Sequence, residues 1–338
     1  MKLRVGLVGL GESWHQRHRP ALFALRDRFE VKGVCDEVSL LAEQAAREFS
    51  APAVDGYRAL VARDDIDAIL ILSPQWFGAL PVLAACDAGK AVYCTSALEV
   101  DPASARLICS RVEETGITFM AELPRRHAPA TIRLKELIAT RLGAPRLLFC
   151  HHRQPVARGT GPRLRPTYQQ YVTRALMEQV DWCRYVVGIE PTSVVGIGHA
   201  GRDKEGEDDY QMMSVDFSQS GSWGTGAVAQ ISCGHYIPGH WPEAISFRPP
   251  AALQVCCEQG IAFVDLPETL TWFDSAGRHQ ESLESERPVG EQMLMLFHRS
   301  VTSLVRRSSD MQDAFRALRV VMSARESRQN GVRVKLDG

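Results

Sequence analysis

Residues 6–22, "GLVGLGESWHQRHRPAL", decide how the first part of this chain is read. Gly9-x-Gly11 follows the apolar run "LRVGLVGL" and precedes a helical pattern, the setting in which a glycine turn cradles a pyrophosphate on a helix N-terminus. The third small position of such a turn, where the helix packs closest to the strand, holds Trp14 instead. Ser13-x-x-Gln16 has the spacing of a capping box, with Ser13 as N-cap and Trp14 as the first helical residue. A first-turn side chain can point outward, which keeps the N–H donors and sets an indole at the mouth of the cradle. The opposite reading has Trp14 filling the pyrophosphate space.

Outward from this stretch, short apolar runs alternate with helical patterns. Pro20 to Phe29 reads as a helix with Leu22, Leu25 and Phe29 on one face, and "FEVKGVCD" as the second strand. "LLAEQAAREF", "IDAILILSP", "ALPVLAACDAG" and "AVYC" continue the alternation. Asp101 and Pro102 give an N-cap and a first-turn proline to "ASARLICSRVEETG", and "ITFMAEL" is counted as a sixth strand. Strands alternating with crossover helices make an α/β fold with a doubly wound parallel sheet over residues 1–122. Asp36 ends the second strand, where it can accept ribose hydroxyls. With Glu37 it repels a 2′-phosphate, so NAD is expected, with NADP less favoured.

The pattern changes after Pro124. "ATIRLKELIATRLG" and "YQQYVTRALMEQVDWCRYVVG" are helical, residues 158–167 read as a loop, and six runs from Thr192 to Phe273 alternate with turn residues. Residues 123–338 therefore read as a second, α+β domain with a mostly antiparallel sheet, closed by "EQMLMLFHRSVTSLV" and "MQDAFRALRVVMSARESRQ". Apolar side chains on both phases of "AVAQI" and "ALQVCC" predict that one sheet face is covered by self-association into a homo-oligomer.

The chain has 338 residues and a formal net charge of −1, so no basic excess points to nucleic acid. The first residues do not read as a signal peptide, and no apolar run reaches membrane-spanning length. Nine cysteines without a Cys-x-x-Cys pair fit reduced thiols in the cytoplasm.

"VGLVGLG", "HRPAL", "SPQWFGALPVLAACDAGKAVYC", "DWCRYVVG" and "ALRVVMSARESRQNG" together resemble the Gfo/Idh/MocA family of NAD(P)-dependent oxidoreductases, which act mainly on sugars and cyclitols. The resemblance implies a Rossmann domain, a second domain with a large open sheet often used for oligomerisation, and one extra residue between Gly11 and His18. It implies cofactor contacts at Gly9, Gly11, Ser13, Trp14, Asp36, Ser73, Pro74 and Thr95. The family's Glu-Lys-Pro becomes Thr95, Ser96 and Ala97, and its Asp-x-x-x-His becomes Arg174 and Glu178. A histidine frequent after the third strand becomes Gly78.

Oxidation of an alcohol needs a proton acceptor. Glu178 stands where the family histidine would, and Arg174 can replace the lysine's charge. These two, with Ser96 and His127, are the candidate catalytic residues; an i,i+4 ion pair of Arg174 with Glu178 is the structural alternative. Arg125, Arg126 and His127 can bind an anionic or polyhydroxylated substrate or form a solvated hinge. His151 and His152 point to opposite sheet faces, with one exposed. Cys233, His235 and His240 are not assigned a metal; Tyr236 and Trp241 offer an aromatic platform for a sugar ring. Arg158, Arg163 and Arg165 read as solvated surface. A catalytically silent relative that binds a nucleotide or sugar, or serves as a structural subunit, is the second functional reading.

Overall fold

The computed structural model describes residues 2–11, 13–73, 77–95, 101–156, 168–200, 208–219, 222–238, 241–283, 287–303 and 309–336. It divides into two compact units. One comprises Met1–Pro124 with Glu286–Arg316, the other Arg125–Ser285 with Ala317–Gly338. A single boundary near residue 122 does not describe this, because the chain returns to the first unit through the helix Val289–Thr302.

The first unit is built on a parallel sheet of β1 (Leu3–Val8), β2 (Phe29–Cys35), β3 (Ala68–Ile71), β4 (Ala91–Thr95) and β5 (Phe119–Glu122), in the order β2-β1-β3-β4-β5. The run counted as a sixth strand is the fifth. The winding direction reverses between β1 and β3, where open α/β sheets bind their ligands. The expected helix over Pro20 to Phe29 is shorter: it spans Arg19–Ala24, and Phe29 opens β2. Leu22, Leu25 and Phe29 are all buried nonetheless. Apolarity alone could not separate the end of that helix from the start of the strand.

The helix Val289–Thr302 inserts Met293, Leu294 and Phe297 into the same apolar cluster as Leu3, Val5, Leu7 and Tyr93. Each is fully buried, which stabilises the unit by about 1.5–3 kcal/mol per side chain. Gly290 permits this close packing: a Cβ there would lie 2.7 Å from Arg17 Cγ. Asp101 caps the helix Pro102–Thr115 as expected, accepting the Ser104 amide at 2.8 Å.

The second unit is built on a nine-stranded sheet. Its strands are β6 (Pro145–Val156), β7 (Ser193–Ala200), β8 (Asp208–Asp216), β9 (Val228–Pro238), β10 (Leu253–Cys257), β11 (Ile261–Asp265), β12 (Thr269–Asp274), β13 (Gly277–Ser282) and β14 (Val334–Lys335). The order is β13-β12-β11-β10-β6-β9-β8-β7-β14. Only β6 and β9 pair in parallel, so the sheet is mostly antiparallel. Short, polar β13 and β14 carry no apolar alternation and were not legible in the sequence.

The helix Tyr168–Val187 covers one face with Val172, Leu176, Val180, Cys183 and Val186, all buried. The helix Ser309–Asn330 lies close over β7: a Cβ on Gly196 would collide with the Ala324 carbonyl, and the Gly196 amide donates to Ser327 Oγ at 3.0 Å.

Candidate active site

Parallel register brings the carboxyl ends of the first unit's strands together. Val8 pairs with Cys35 and with Ile71, Ile71 with Cys94, and Thr95 with Glu122. Gly9 and Gly11 turn the chain out of β1 at φ +66° and +68°, where side chains are disfavoured. A Cβ on Gly9 would sit 2.6 Å from Ser73 Cβ, and one on Gly11 would run into the Leu72 carbonyl. The glycines thus let the turn lie against the end of β3. The Gly9 amide donates to the Cys35 carbonyl at 2.8 Å.

Asp36 closes the turn from the other side. The Leu10 amide donates to its Oδ2 and the Val38 amide to its Oδ1, both at 2.9 Å. Each carboxylate oxygen keeps a second lone pair for a ribose hydroxyl. Glu37 is exposed beside it. Ser73 is fully buried, and its Oγ has no hydrogen-bond partner among the described residues. This orphaned donor beside a glycine turn fits a dinucleotide. Thr95 Oγ1 donates to the Ile71 carbonyl at 3.4 Å and so ties β4 to β3. Pro74, Ser96, Ala97, Arg158, Arg163, Arg165 and His240 lie outside the described residues.

Trp14 is not an outward indole at the mouth of the turn. It is 4% exposed and belongs to the apolar cluster, with its ring 6.0 Å from Phe49. Ser13 is the N-cap, yet its side chain makes no capping bond. The cause is the winding of the helix. Trp14–His18 forms a π turn, in which the Ser13 carbonyl accepts the Arg17 amide at 2.9 Å and the His18 amide at 3.2 Å. A π turn takes one residue more than an α turn, which swings Trp14 inward.

The same turn buries a charged cluster that the sequence did not reveal. His18 Nε2 lies 2.8 Å from Glu122 Oε2, and Arg17 Nη1 hydrogen-bonds Glu122 Oε1. Burial alone would raise the Glu122 carboxyl; the hydrogen bond and charge of His18, with the Arg17 charge, outweigh it and hold the group below the usual range. Burial, reinforced by the Glu122 charge, pushes the neighbouring Tyr93 phenol well up. One available signal was a lone glutamate ending an apolar strand.

In the second unit, Glu178 and Arg174 stand one turn apart on the helix Tyr168–Val187 without pairing. Glu178 Oε2 instead lies 3.5 Å from Arg125 Nε, and the Arg125 guanidinium stacks over Trp182 at 5.3 Å. Arg126 grips Asp181 with two nitrogens, one at 2.7 Å, and Arg184 joins the same carboxylate at 3.5 Å. Arg125 and Arg126 are therefore paired and mostly buried rather than solvated. His127 is half-buried at the end of the short helix Pro124–His127.

The two adjacent histidines do face opposite ways, but neither is fully exposed. His151 Nδ1 is 2.8 Å from Ser232 Oγ, and His152 Nε2 is 3.4 Å from the Tyr171 hydroxyl. Burial lowers His151, aided by the Arg153 charge. Cys233 is buried, which pushes its thiol up to about 12. Among the described residues no three His, Cys, Asp or Glu side chains form a metal-binding group. Tyr236 and Trp241 are both exposed, and the Tyr236 ring lies over Gly234, where a Cβ would meet it at 2.5 Å.

Residues 3–123 match the model of the oxidoreductase family with an NAD-binding Rossmann fold, Gfo/Idh/MocA. Over this stretch the chain is similar to that family's NAD-binding domain. It is 32% identical over 127 residues to a D-xylose 1-dehydrogenase (NADP(+)) of Haloferax volcanii, a match covering 38% of this chain and 36% of that one. It is 30% identical over 204 residues to an inositol 2-dehydrogenase of Mycolicibacterium vanbaalenii, covering 57% of this chain and 56% of the relative. The matches thus span about a third to a half of these curated relatives' lengths. An oxidoreductase from Thermotoga maritima superposes with a TM-score of 0.82 at 17% identity, covering 99% of this chain and 98% of that one. An aldose-aldose oxidoreductase from Caulobacter crescentus gives 0.82 at 15% identity, covering 99% and 100%. These likenesses establish the fold across both units. Among the described residues, no helix is long and apolar enough to cross a membrane.

Proposed function

We propose that the chain is an NAD(P)-dependent dehydrogenase of a sugar- or polyol-like substrate, with NAD the preferred cofactor and Glu178 the proton acceptor. The observation that carries this reading is the glycine turn closed by Asp36 and Ser73 at the reversal point of the parallel sheet. The nicotinamide, when bound, accepts a hydride from the substrate carbon. Gly9 and Gly11 leave room for the pyrophosphate, and Asp36 receives the ribose hydroxyls.

Glu178 takes the alcohol proton, the role a carboxylate can fill when histidine is absent. Arg125 holds that carboxylate in place and offsets its charge. The xylose and inositol activities named for the relatives support a substrate rich in hydroxyl groups. Exposed Tyr236 and Trp241 supply apolar faces on which such a ring can rest. The free thiols fit a reducing cytoplasm, and the open face of the large sheet supports a homo-oligomer. NADH formation from a panel of sugars, cyclitols and sugar acids tests the reading; no turnover with NAD or NADP across the panel removes it. The silent-relative alternative rests on the family lysine and histidine being replaced, and it predicts binding without turnover.

A further inference from the structure

One arginine on the Glu178 face of its helix has no carboxylate partner among the described residues, and that cation points to a substrate class. Three acidic groups are already engaged: Glu178 by Arg125, Asp181 by Arg126 and Arg184, and Glu190 by Arg184. Arg174 is the fourth arginine of this group, and among the described residues it pairs with no carboxylate. Its natural partner four residues on has turned to Arg125 instead. An i,i+4 pair with Glu178 would have been the cheap local solution, and the fold does not use it.

Arg174 is half-buried. It shares one helix face with Tyr171 and Glu178, since residues three and four apart are neighbours. Along this face run a hydroxyl that touches His152, a cation and a carboxylate. Four residues of helix rise about 6 Å. That offset suits a molecule carrying an acid group a few carbons from the alcohol that Glu178 deprotonates.

We infer that the substrate is a carboxylate-bearing polyol, a sugar acid, whose carboxylate is bound by the Arg174 guanidinium. This rests on the dehydrogenase reading with Glu178 as acceptor. In the reaction the C–H hydride leaves for the nicotinamide, the hydroxyl proton goes to Glu178, and the carbon becomes a ketone; the substrate carboxylate is unchanged. Arg174 offers two parallel N–H donors that a neutral sugar cannot use as well.

The test compares the full-length protein with saturating NAD on glucuronate, galacturonate and gluconate against glucose, galactose and glucose 6-phosphate. Binding is read by titration calorimetry and turnover by NADH absorbance. At least one acid should bind about 10- to 100-fold tighter than its neutral counterpart, the range of a charged hydrogen-bonded contact. Arg174→Gln should bring that ratio to near one through KM, and Arg174→Lys should restore part of it. Equal binding of acids and neutral sugars, or a preference unchanged in Arg174→Gln, overturns the inference. Preference for glucose 6-phosphate over every carboxylate overturns it in favour of a phosphate site. A carboxylate preference with no NADH formed retains the inference and removes the dehydrogenase reading.

Discussion

The Leu10 amide donates to Asp36 Oδ2 at 2.9 Å, which fixes the β2 end against the glycine turn. With Val38 on the other oxygen, the carboxylate cannot swing away from an incoming ribose. A 2′-phosphate would meet Asp36 and the exposed Glu37 together. Titration calorimetry should therefore find NAD binding tighter than NADP, and Asp36→Ser should narrow the difference. Equal or tighter NADP binding in the parent protein would contradict this assignment.

The glycines of the turn should tolerate no side chain. Gly9→Ala combines positive φ with a Cβ 2.6 Å from Ser73 Cβ, so the β3 end must move. We expect loss of dinucleotide binding and a stability loss above the roughly 1–2 kcal/mol of a left-handed non-glycine residue alone. Gly56→Ala is the control: φ is +85°, but nothing lies within 4 Å, so only the backbone strain applies. Denaturation of the two variants should rank Gly9→Ala well below Gly56→Ala.

The His18–Glu122–Arg17 cluster should make the first unit acid-sensitive. Glu122 has a folded pKa below its unfolded value of about 4.3. Its contribution is complete above that value and is lost as the pH falls through the folded one. Glu122→Gln leaves His18 and Arg17 facing an uncharged amide and should cost about 3 kcal/mol at neutral pH. Hydrogen exchange at β1 and β5 amides should show this loss, with a shallower fall in protection below about pH 4.3 than in the parent. Equal protection in both proteins at neutral pH would show the cluster to be energetically idle.

Alternation of apolar runs and turn signals reported the order of most strands, since each strand's burial leaves a local mark. The glycine turn and Asp36 were legible for the same reason. The inward turn of Trp14 was not, because it follows from π winding, and Ser13 and Gln16 have the spacing of an ordinary cap. Glu122 with His18 and Arg125 with Glu178 were hidden because each joins residues more than fifty positions apart. The return of Val289–Thr302 to the first unit was hidden too: its apolar stripe says that it packs, not on which sheet.

The open face of the large sheet should associate with a second copy. Leu147, Ile197 and Phe273 are 45%, 53% and 40% exposed on β6, β7 and β12, more apolar surface than scattered single residues require. Sedimentation at micromolar concentration should give a species larger than a monomer, and Ile197→Lys should shift it toward monomer. A monomeric parent protein would end this reading of the sheet.

The proposed role of Glu178 as proton acceptor is open to a direct test. Its carboxylate is held 3.5 Å from Arg125, whose guanidinium is itself fixed over Trp182. On the proposed reading, an arginine so placed would orient the acceptor without taking part in proton transfer. Glu178→Gln preserves shape and a hydrogen-bonding oxygen but removes the basic site. Turnover should fall about 10²–10⁴-fold, the usual contribution of a general base, while NAD affinity stays within experimental error. Arg125→Met removes the positioning group and should distort the pH–rate profile while lowering kcat less than Glu178→Gln does. Full activity in Glu178→Gln would move the proton acceptor elsewhere, with His127 the next side chain to test.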